Sequence, residues 1–212
     1  MKIAFIGIGN VGFALADQLQ KVGHEIVIAA RDPNAESVKR ATTENPYIQV
    51  AAIPVALARV EVVFLATPFG KNAEALRSVA PELSGKVLVD CTNPVGPGLT
   101  HGLSSQTSGS EQVQQLAPTA RVVKAFTIYG YENLRDNRYP GYGNLRPVMP
   151  IAGDDADAKR TVASLVRELG WEPLDTGPLS VSLQLEHMTL LWVKMARAQG
   201  LGPNFTWAML RR

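Results

Sequence analysis

The sequence predicts an α/β fold with a doubly wound, mainly parallel sheet, and three observations support this. Short apolar segments without alternating polar residues recur along residues 1–90. Segments with a helical spacing of apolar residues separate them, and a glycine-rich turn directly follows the first one. Because strands buried on both faces are apolar throughout, this alternation indicates βαβ units and a parallel sheet covered by helices on both sides.

The first half of the chain divides into regularly alternating elements. The first strand stops at Gly7, and the helix after it ends at Gly23, a residue that suits a helix C-terminus. The predicted strands are residues 2–6, 25–30, 48–51, 61–66 and 86–90. The predicted helices are residues 11–22, 34–43, 55–59 and 72–80.

The second half is less regular. Residues 91–109 and 129–147 are rich in turn-forming residues, so we predict two long loops, which in compact domains are usually functional. The predicted strands are residues 121–126, 148–152 and 171–174. The predicted helices are residues 111–116, 155–169 (capped by Asp154 and ended by Gly170), 179–199 and 204–212.

Composition excludes several classes of protein. The 212 residues include 21 Lys and Arg against 19 Asp and Glu, and a net charge of +2 gives no electrostatic case for nucleic acid or an anionic membrane. A single cysteine excludes a disulfide framework and is compatible with a reducing cytoplasm. One cysteine and three scattered histidines give no metal site. No signal peptide is recognisable, and no apolar run approaches the roughly 18 residues of a membrane span.

A complete G-x-G-x-x-G motif links the first strand to the first helix. Its residues are Gly7, Ile8, Gly9, Asn10, Val11 and Gly12. In this setting Gly7 permits the tight turn, Gly9 lets the backbone approach a pyrophosphate, and Gly12 lets the helix pack against the strand. The free N–H groups of the helix then face the phosphates. The motif predicts dinucleotide binding, and the alternative is a structural turn without a ligand.

The end of the second strand indicates which dinucleotide binds. NAD-binding domains usually carry Asp or Glu there for the ribose 2′-hydroxyl, whereas this chain has Ala29, Ala30 and Arg31. The two small residues leave room, and Arg31 can stack on adenine or pair with a 2′-phosphate. The sequence therefore favours NADP over NAD. The alternative is that Arg31 pairs with its neighbour Asp32.

Two further segments follow strands of the predicted sheet. Thr67 and Pro68 follow the fourth strand, and Asn93 and Pro94 follow the fifth. Because ligands of open α/β sheets bind beyond the carboxyl ends of the strands, we expect these residues to contact the ribose or the nicotinamide amide. The alternative is that they only terminate strands.

With these residues in view, the chain resembles the coenzyme F420-dependent NADP oxidoreductases, and it is similar to the reductase domains of the STEAP metalloreductases. The resemblance extends over essentially the whole chain. It rests on Arg31 and on residues 7–12, 66–68, 90–94, 123–126, 151–154, 174–179 and 190–192.

The resemblance implies a Rossmann domain over residues 1–178 and a small C-terminal helical cap over residues 179–212 that forms a homodimer. It implies that Arg31 binds the 2′-phosphate, that Asn93 and Pro94 lie near the nicotinamide, and that hydride passes reversibly between NADP(H) and a flavin-like ring, most readily coenzyme F420. Thr127 departs from the Asn usual in the family, and the loop of residues 129–146 is longer. An ordinary flavin or a ferric chelate is therefore an alternative acceptor.

The sequence offers no catalytic acid or base. Carbonyl reduction needs a positioned proton donor, but Lys194 lacks the glycine-rich context found in hydroxyacid dehydrogenases, and few residues follow Leu179. We therefore expect direct hydride transfer without a catalytic residue. Thr127 and His187 are the candidates for the substrate side, although His187 is also read as a core or interface residue. A non-catalytic NADP(H)-binding regulator is the alternative function.

Two remaining groups of residues have no assigned role. Five arginines could receive an anionic coenzyme tail or could simply be solvated, namely Arg135, Arg138, Arg146, Arg211 and Arg212. A stripe on the long C-terminal helix indicates helix packing, in one reading across a dimer, and comprises Leu183, His187, Leu190, Leu191 and Met195.

Overall fold

The computed structural model describes residues 1–212 and has one eight-stranded sheet, which confirms the predicted fold class. Its strands are β1 (Lys2–Ile6), β2 (Glu25–Ala30), β3 (Gln49–Ala52), β4 (Val62–Leu65), β5 (Val87–Asp90), β8 (Arg121–Lys124), β9 (Val148–Gly153) and β10 (Glu172–Asp175). β6 (Val95–Gly96) and β7 (Thr100–His101) form a separate hairpin. The order in the sheet is β10-β9-β8-β5-β4-β1-β2-β3, and only the β8–β9 pair is antiparallel.

Helices cover both faces of this sheet. They are α1 (Asn10–Lys21), α2 (Glu36–Glu44), α3 (Ile53–Ala58), α4 (Asn72–Arg77), α5 (Gly109–Leu116), α6 (Tyr131–Arg135), α7 (Ala156–Glu168) and α8 (Ser182–Val193). Alternate residues of β1 enter different cores, because Ile3 and Phe5 belong to one apolar cluster and Ala4 and Ile6 to the other. None of these helices is long and apolar enough to cross a membrane.

The order of the strands places a crevice beside β1. The chain runs outward from β1 through β2 to β3, and it returns to the other side of β1 with β4. The loops after β1 and β4 therefore diverge at their carboxyl ends. This is the point at which open α/β sheets bind ligands.

Three sequence predictions for the second half are wrong in detail. The first predicted loop contains the β6–β7 hairpin, and the second contains α6. Asp155, not Asp154, caps α7, since its side chain accepts a hydrogen bond from the Ala158 N–H at 2.7 Å. Asp154 instead accepts one from the Leu179 N–H at 2.9 Å.

The predicted helix over residues 204–212 is also wrong, because this segment has no helical turn. Phe205 and Trp207 pack against the larger core, and their spacing of two residues suits an extended chain. The Val148 N–H donates to the Trp207 carbonyl oxygen at 2.9 Å, and Phe205 stacks on Trp192 with ring centroids 5.5 Å apart. The predicted helix of residues 179–199 is α8 flanked by a 3₁₀ turn and a π-helical turn.

A buried ionic network joins α8 to the sheet. The Nζ atom of Lys124, at the end of β8, lies 3.3 Å from Asp90 Oδ2, at the end of β5, and 3.3 Å from Glu186 Oε1, on α8. The three side chains are 0%, 0% and 1% exposed. Lys124 also donates to the Thr92 carbonyl oxygen.

The two carboxylates of this network have further donors. Glu186 accepts from the Gly109 N–H at 2.9 Å and from His101 Nε2 at 2.8 Å. The Nδ1 atom of His101 accepts from the N–H groups of Leu103 and Ser105, so Nε2 is the nitrogen that donates to Glu186. Asp90 accepts from Ser110 Oγ at 2.6 Å. Every charged group in the network therefore has partners, which such a buried site requires.

We predict that Lys124→Met destabilises the protein by about 3–5 kcal/mol, because it leaves two buried carboxylates without their cation. Urea denaturation measures the change. Lys2→Met is the control, since Lys2 forms a partly exposed pair with Glu25 at 3.7 Å and should cost less than about 1 kcal/mol. Equal losses for the two variants would contradict the prediction.

Candidate functional site

The glycine turn after β1 is fixed by two close backbone approaches. Gly7 has a φ of +94°, and a Cβ there would lie 2.6 Å from the carbonyl carbon of Ala66, which follows β4. A Cβ at Gly12 would collide with the Gly7 carbonyl oxygen. Both glycines are therefore required by the packing of α1 and β4 against the turn.

Gly9 differs from the other two glycines of the motif. A Cβ at this position would meet no protein atom within 4 Å, and its φ of −71° is available to any residue. The protein's own packing gives no reason for glycine here, whereas a closely approaching ligand does. Gly9 is also the N-cap of α1 without a side-chain cap, and no acidic residue lies in the first turn. The free N–H groups there suit an anion.

Two clefts flank this turn. The β2-side cleft, about 240 Å³, includes Ile8, Ala30 and Arg31 in its walls. The β5-side cleft, about 380 Å³, includes Gly9 and the loops that follow β4 and β5. Thr67 borders both clefts. Two clefts that meet at a glycine turn have the arrangement that the two halves of a dinucleotide require.

Arg31 lies at the mouth of the β2-side cleft beside a second cation. Its Nη1 donates to Glu74 Oε1 on α4, and Lys71 Nζ lies 3.3 Å from Glu74 Oε2. The hydrogen bond from Arg31, followed by that from Lys71, lowers the pKa of Glu74 below its ordinary value. The predicted alternative, an Arg31–Asp32 pair, is wrong. Asp32 instead accepts from the Asn34 N–H at 2.8 Å.

Asn93 lies in the wall of the β5-side cleft, at the end of β5. Its Oδ1 lies 2.8 Å from Thr127 Oγ1 and 3.0 Å from Thr189 Oγ1. A second chain of hydrogen bonds joins the neighbouring loops. Thr67 Oγ1 donates to Asn72 Oδ1 at 2.7 Å, and Asn72 Nδ2 donates to Thr92 Oγ1 at 2.8 Å.

Comparison with known proteins identifies the family. Residues 2–94 match the sequence model of the coenzyme F420-dependent NADP oxidoreductases. A solved structure from Arthrobacter sp. FB24, provisionally assigned as an F420-dependent NADP reductase, superposes with a TM-score of 0.88 and 32% identity, and the match covers 100% of both chains. The chain belongs to the coenzyme F420-dependent NADP oxidoreductase family.

Two curated relatives support this membership, which confirms the family predicted from the sequence. The F420-dependent NADP reductase of Methanothermobacter thermautotrophicus is 26% identical over 212 residues, which cover 92% of this chain and 89% of that protein. Metalloreductase STEAP3 of Rattus norvegicus is 34% identical over 190 residues, which cover 89% of this chain but only 36% of that protein. The chain thus spans about a third of the length of the metalloreductases that it matches.

Most of the predicted coenzyme residues lie together in this family member. Gly7, Ile8 and Arg31 line the β2-side cleft; Gly9, Asn10, Val11, Pro68 and Asn93 line the β5-side cleft. Gly12 lies behind the turn against Gly7, and Pro94 is buried. Cys91 also lines the β5-side cleft, and burial raises the pKa of its thiol well above the ordinary value.

The substrate-side candidates lie elsewhere. Thr127 is 1% exposed and reaches the cleft only through Asn93. His187 is exposed and stacks on His101 with ring centroids 5.2 Å apart. Lys194 is exposed in the π-helical turn.

The five arginines do not form one group. Arg135 pairs with Glu44 and Arg138 with Asp136. Arg146 and Arg211 line a separate surface cleft, beside Glu172 at the start of β10. A single arginine-lined mouth for a coenzyme tail is therefore absent.

The sequence analysis missed four residues that shape the site, namely Asn72, Lys124, Glu186 and Thr189. Lys124 gave a usable signal, because a lysine within the otherwise apolar run of residues 122–126 needs buried partners. Glu186 and Thr189 gave none, since the partners that define their roles are distant in the sequence. Asn72 also gave none, although Thr67 lies only five residues before it.

The glycine motif yields a matched pair of predictions. Gly12→Ala should destabilise the protein by about 1–3 kcal/mol through overpacking against Gly7, whereas Gly9→Ala should cost less than about 1 kcal/mol. Gly9→Ala should instead weaken NADPH binding by about tenfold or more, because its methyl group occupies the pyrophosphate approach. Thermal denaturation and NADPH fluorescence titration separate the two effects. Unchanged NADPH affinity in Gly9→Ala would contradict the assignment of the turn.

Proposed function

We propose that the protein, as a member of this NADP-dependent oxidoreductase family, binds NADP(H) across the glycine turn. The adenosine half lies in the β2-side cleft and the nicotinamide half in the β5-side cleft. The observation that carries the proposal is Gly9, whose missing side chain leaves room that no protein atom uses. The proposed contacts are Gly7, Ile8, Gly9, Asn10, Val11, Gly12, Arg31, Thr67, Pro68, Asn93 and Pro94.

The β2-side cleft favours a coenzyme with a 2′-phosphate. Ala29 and Ala30 give it small walls, and Arg31 and Lys71 bring two positive charges to its mouth. Glu74 pairs with both in the free protein, so a bound phosphate would replace Glu74 as the partner of Arg31.

We predict that Arg31→Ala weakens NADPH binding by about 10- to 100-fold, the usual value of a charged hydrogen bond, and changes NADH binding far less. Fluorescence titration with both coenzymes measures the two affinities. Arg77→Ala serves as the control for removing one positive charge, because Arg77 is exposed at the end of α4 and does not line the β2-side cleft. Equal losses for NADPH and NADH would contradict the assignment of NADP.

The reaction that we propose is hydride transfer between NADP(H) and a flavin-like ring, with coenzyme F420 as the most suitable acceptor. The bound nicotinamide supplies or receives the hydride. The chain orients it: Asn93 offers its amide in the cleft wall, and the buried loop of Thr127 supports Asn93. The Cys91 thiol, with its raised pKa, stays protonated and takes no nucleophilic role. Thr127 and His187 remain the candidates for the acceptor side.

A screen of acceptors tests this reaction. NADPH is mixed with purified protein and in turn with F420, FMN, FAD or a ferric chelate together with FAD, and the loss of NADPH absorbance is followed. We expect the fastest turnover with F420. Turnover that requires the ferric chelate and is absent with F420 would favour the second candidate function, a metalloreductase like STEAP3, to which this chain is 34% identical. Tight NADPH binding without any turnover would favour a non-catalytic regulator.

We also propose that residues 179–212 form a C-terminal segment through which two copies associate. Leu183, His187, Leu191 and Met195 lie on the partly exposed face of α8 and the turn after it, and Leu191 is 50% exposed. An apolar stripe of this kind suits a second copy of the same helix. Sedimentation equilibrium of the wild type and Leu191→Glu tests the association.

The single free, buried cysteine suits the reducing cytoplasm that we propose as the location.

A further inference from the structure

Two threonine hydroxyls from separate elements meet at the side chain of Asn93. Thr127 lies in the turn after β8, and its Oγ1 is 2.8 Å from Asn93 Oδ1. Thr189 lies on α8, and its Oγ1 is 3.0 Å from the same oxygen. The two hydroxyl oxygens are 2.8 Å apart, and the residues are 1% and 5% exposed. Water therefore does not compete for these bonds.

The backbone around Thr127 is held in a rarely used conformation. Phe126 has a φ of +52° and Ile128 a φ of +65°, in the left-handed region that a β-branched side chain seldom adopts. Such residues persist only where the surroundings fix them, and they cluster at functional sites. Here the Ile128 N–H donates to Thr189 Oγ1 at 3.1 Å, so the turn is held against α8. This conformation keeps Thr127 directed at Asn93.

The chain just before Asn93 is fixed as well. The Thr92 N–H donates to Asp90 Oδ1 at 2.9 Å, and the Thr92 carbonyl oxygen accepts from Lys124. Asn93 itself lines the β5-side cleft, and none of the protein's hydrogen bonds uses its Nδ2. The amide is thus restrained on its oxygen side and open on its nitrogen side.

We propose that Thr127 and Thr189 are positioning residues, which fix the Asn93 carboxamide so that Nδ2 donates a hydrogen bond to a carbonyl oxygen in the β5-side cleft. The carboxamide oxygen of the nicotinamide is an acceptor of this kind, and the inference rests on the proposed function because it requires the coenzyme in this cleft. A fixed donor sets the orientation of the ring and so the face that exchanges hydride.

Thr127→Val is the decisive variant. Valine has the same shape, and the Thr127 hydroxyl bonds only to Asn93 and Thr189, so no backbone group loses a partner. We expect the Kd for NADPH to rise about fivefold, the usual effect of a neutral hydrogen bond, while the Kd for 2′,5′-ADP stays unchanged. The latter ligand lacks the nicotinamide and reports only on the adenosine half. Thr127→Ser, which keeps the hydroxyl, should restore NADPH binding.

A double variant separates positioning from a general structural effect. If Thr127 acts through Asn93, adding Thr127→Val to Asn93→Ala should not weaken NADPH binding further than Asn93→Ala alone. Thr189→Val should weaken NADPH binding in the same selective way, with its melting temperature measured because it also removes the partner of the Ile128 N–H. Thr161→Val is the matched control, since that hydroxyl bonds to a carbonyl oxygen one helical turn away on α7.

The outcomes distinguish this inference from the proposed function. If Asn93→Ala weakens NADPH binding but Thr127→Val does not, the positioning role is wrong and the proposed coenzyme site stands. Equal losses of NADPH and 2′,5′-ADP affinity in Thr127→Val would also overturn it, because the effect would then be structural. If neither Asn93→Ala nor Arg31→Ala affects NADPH, the proposed coenzyme site itself fails.

Discussion

The arrangement of the β5-side cleft depends on the ammonium group of Lys124. A fully buried charged group needs oppositely charged partners in good geometry. Lys124 pairs with Asp90 and Glu186, which lie on two different elements. Its third contact, to the Thr92 carbonyl oxygen, fixes the backbone beside Asn93. Replacement of a whole buried ionic network by apolar side chains is often neutral or stabilising, but here it would leave the Thr92 carbonyl oxygen without this bond. The network thus holds a backbone position as well as a charge.

The two ends of the proposed coenzyme site are built differently. At the β2 side, Arg31, Lys71 and Glu74 form an exposed cluster whose side chains rearrange at low cost. At the β5 side, Asn93 is restrained by buried hydroxyls and by a backbone in an unusual conformation. A binding end tolerates such adaptability, whereas a reacting end must hold its atoms within a fraction of an ångström. The contrast agrees with recognition at one end and hydride transfer at the other.

Local patterns in the sequence predicted the elements that depend on local physics. All eight sheet strands were anticipated to within a few residues, since most are short apolar runs between turn signals. The clefts also follow from the sequence, because parallel strands bring the loops after β1, β4 and β5 to one edge.

The contacts that organise Asn93 do not follow from the sequence. Thr189 is 96 residues from Asn93, and Glu186 is 62 residues from Lys124, so no short-range pattern carries these pairs. The predicted helix of residues 204–212 failed for a related reason, because the packing of Phe205 and Trp207 overrides the local helical pattern.

The lining of the β5-side cleft bears on which acceptor suits the proposed reaction. Its polar side chains are three hydroxyls, two amides and a thiol whose pKa is raised by burial, namely Thr67, Thr92, Tyr131, Asn10, Asn93 and Cys91. The cleft lining thus holds donors of hydrogen bonds but no carboxylate, lysine or histidine. Reduction of a carbonyl requires a proton at the oxygen as the hydride arrives. Of the lining groups only the Tyr131 hydroxyl is a usual proton donor, and no hydrogen bond within the protein positions it. A ferric chelate accepts one electron, whereas a hydride carries two, so that reaction needs a further ring between the coenzyme and the metal. A flavin-like ring, and a deazaflavin in particular, accepts both electrons and the proton of the hydride in one step, and the protein needs only to align the two rings. The restraint of Asn93 would supply such alignment, and this supports ring-to-ring transfer as the proposed reaction.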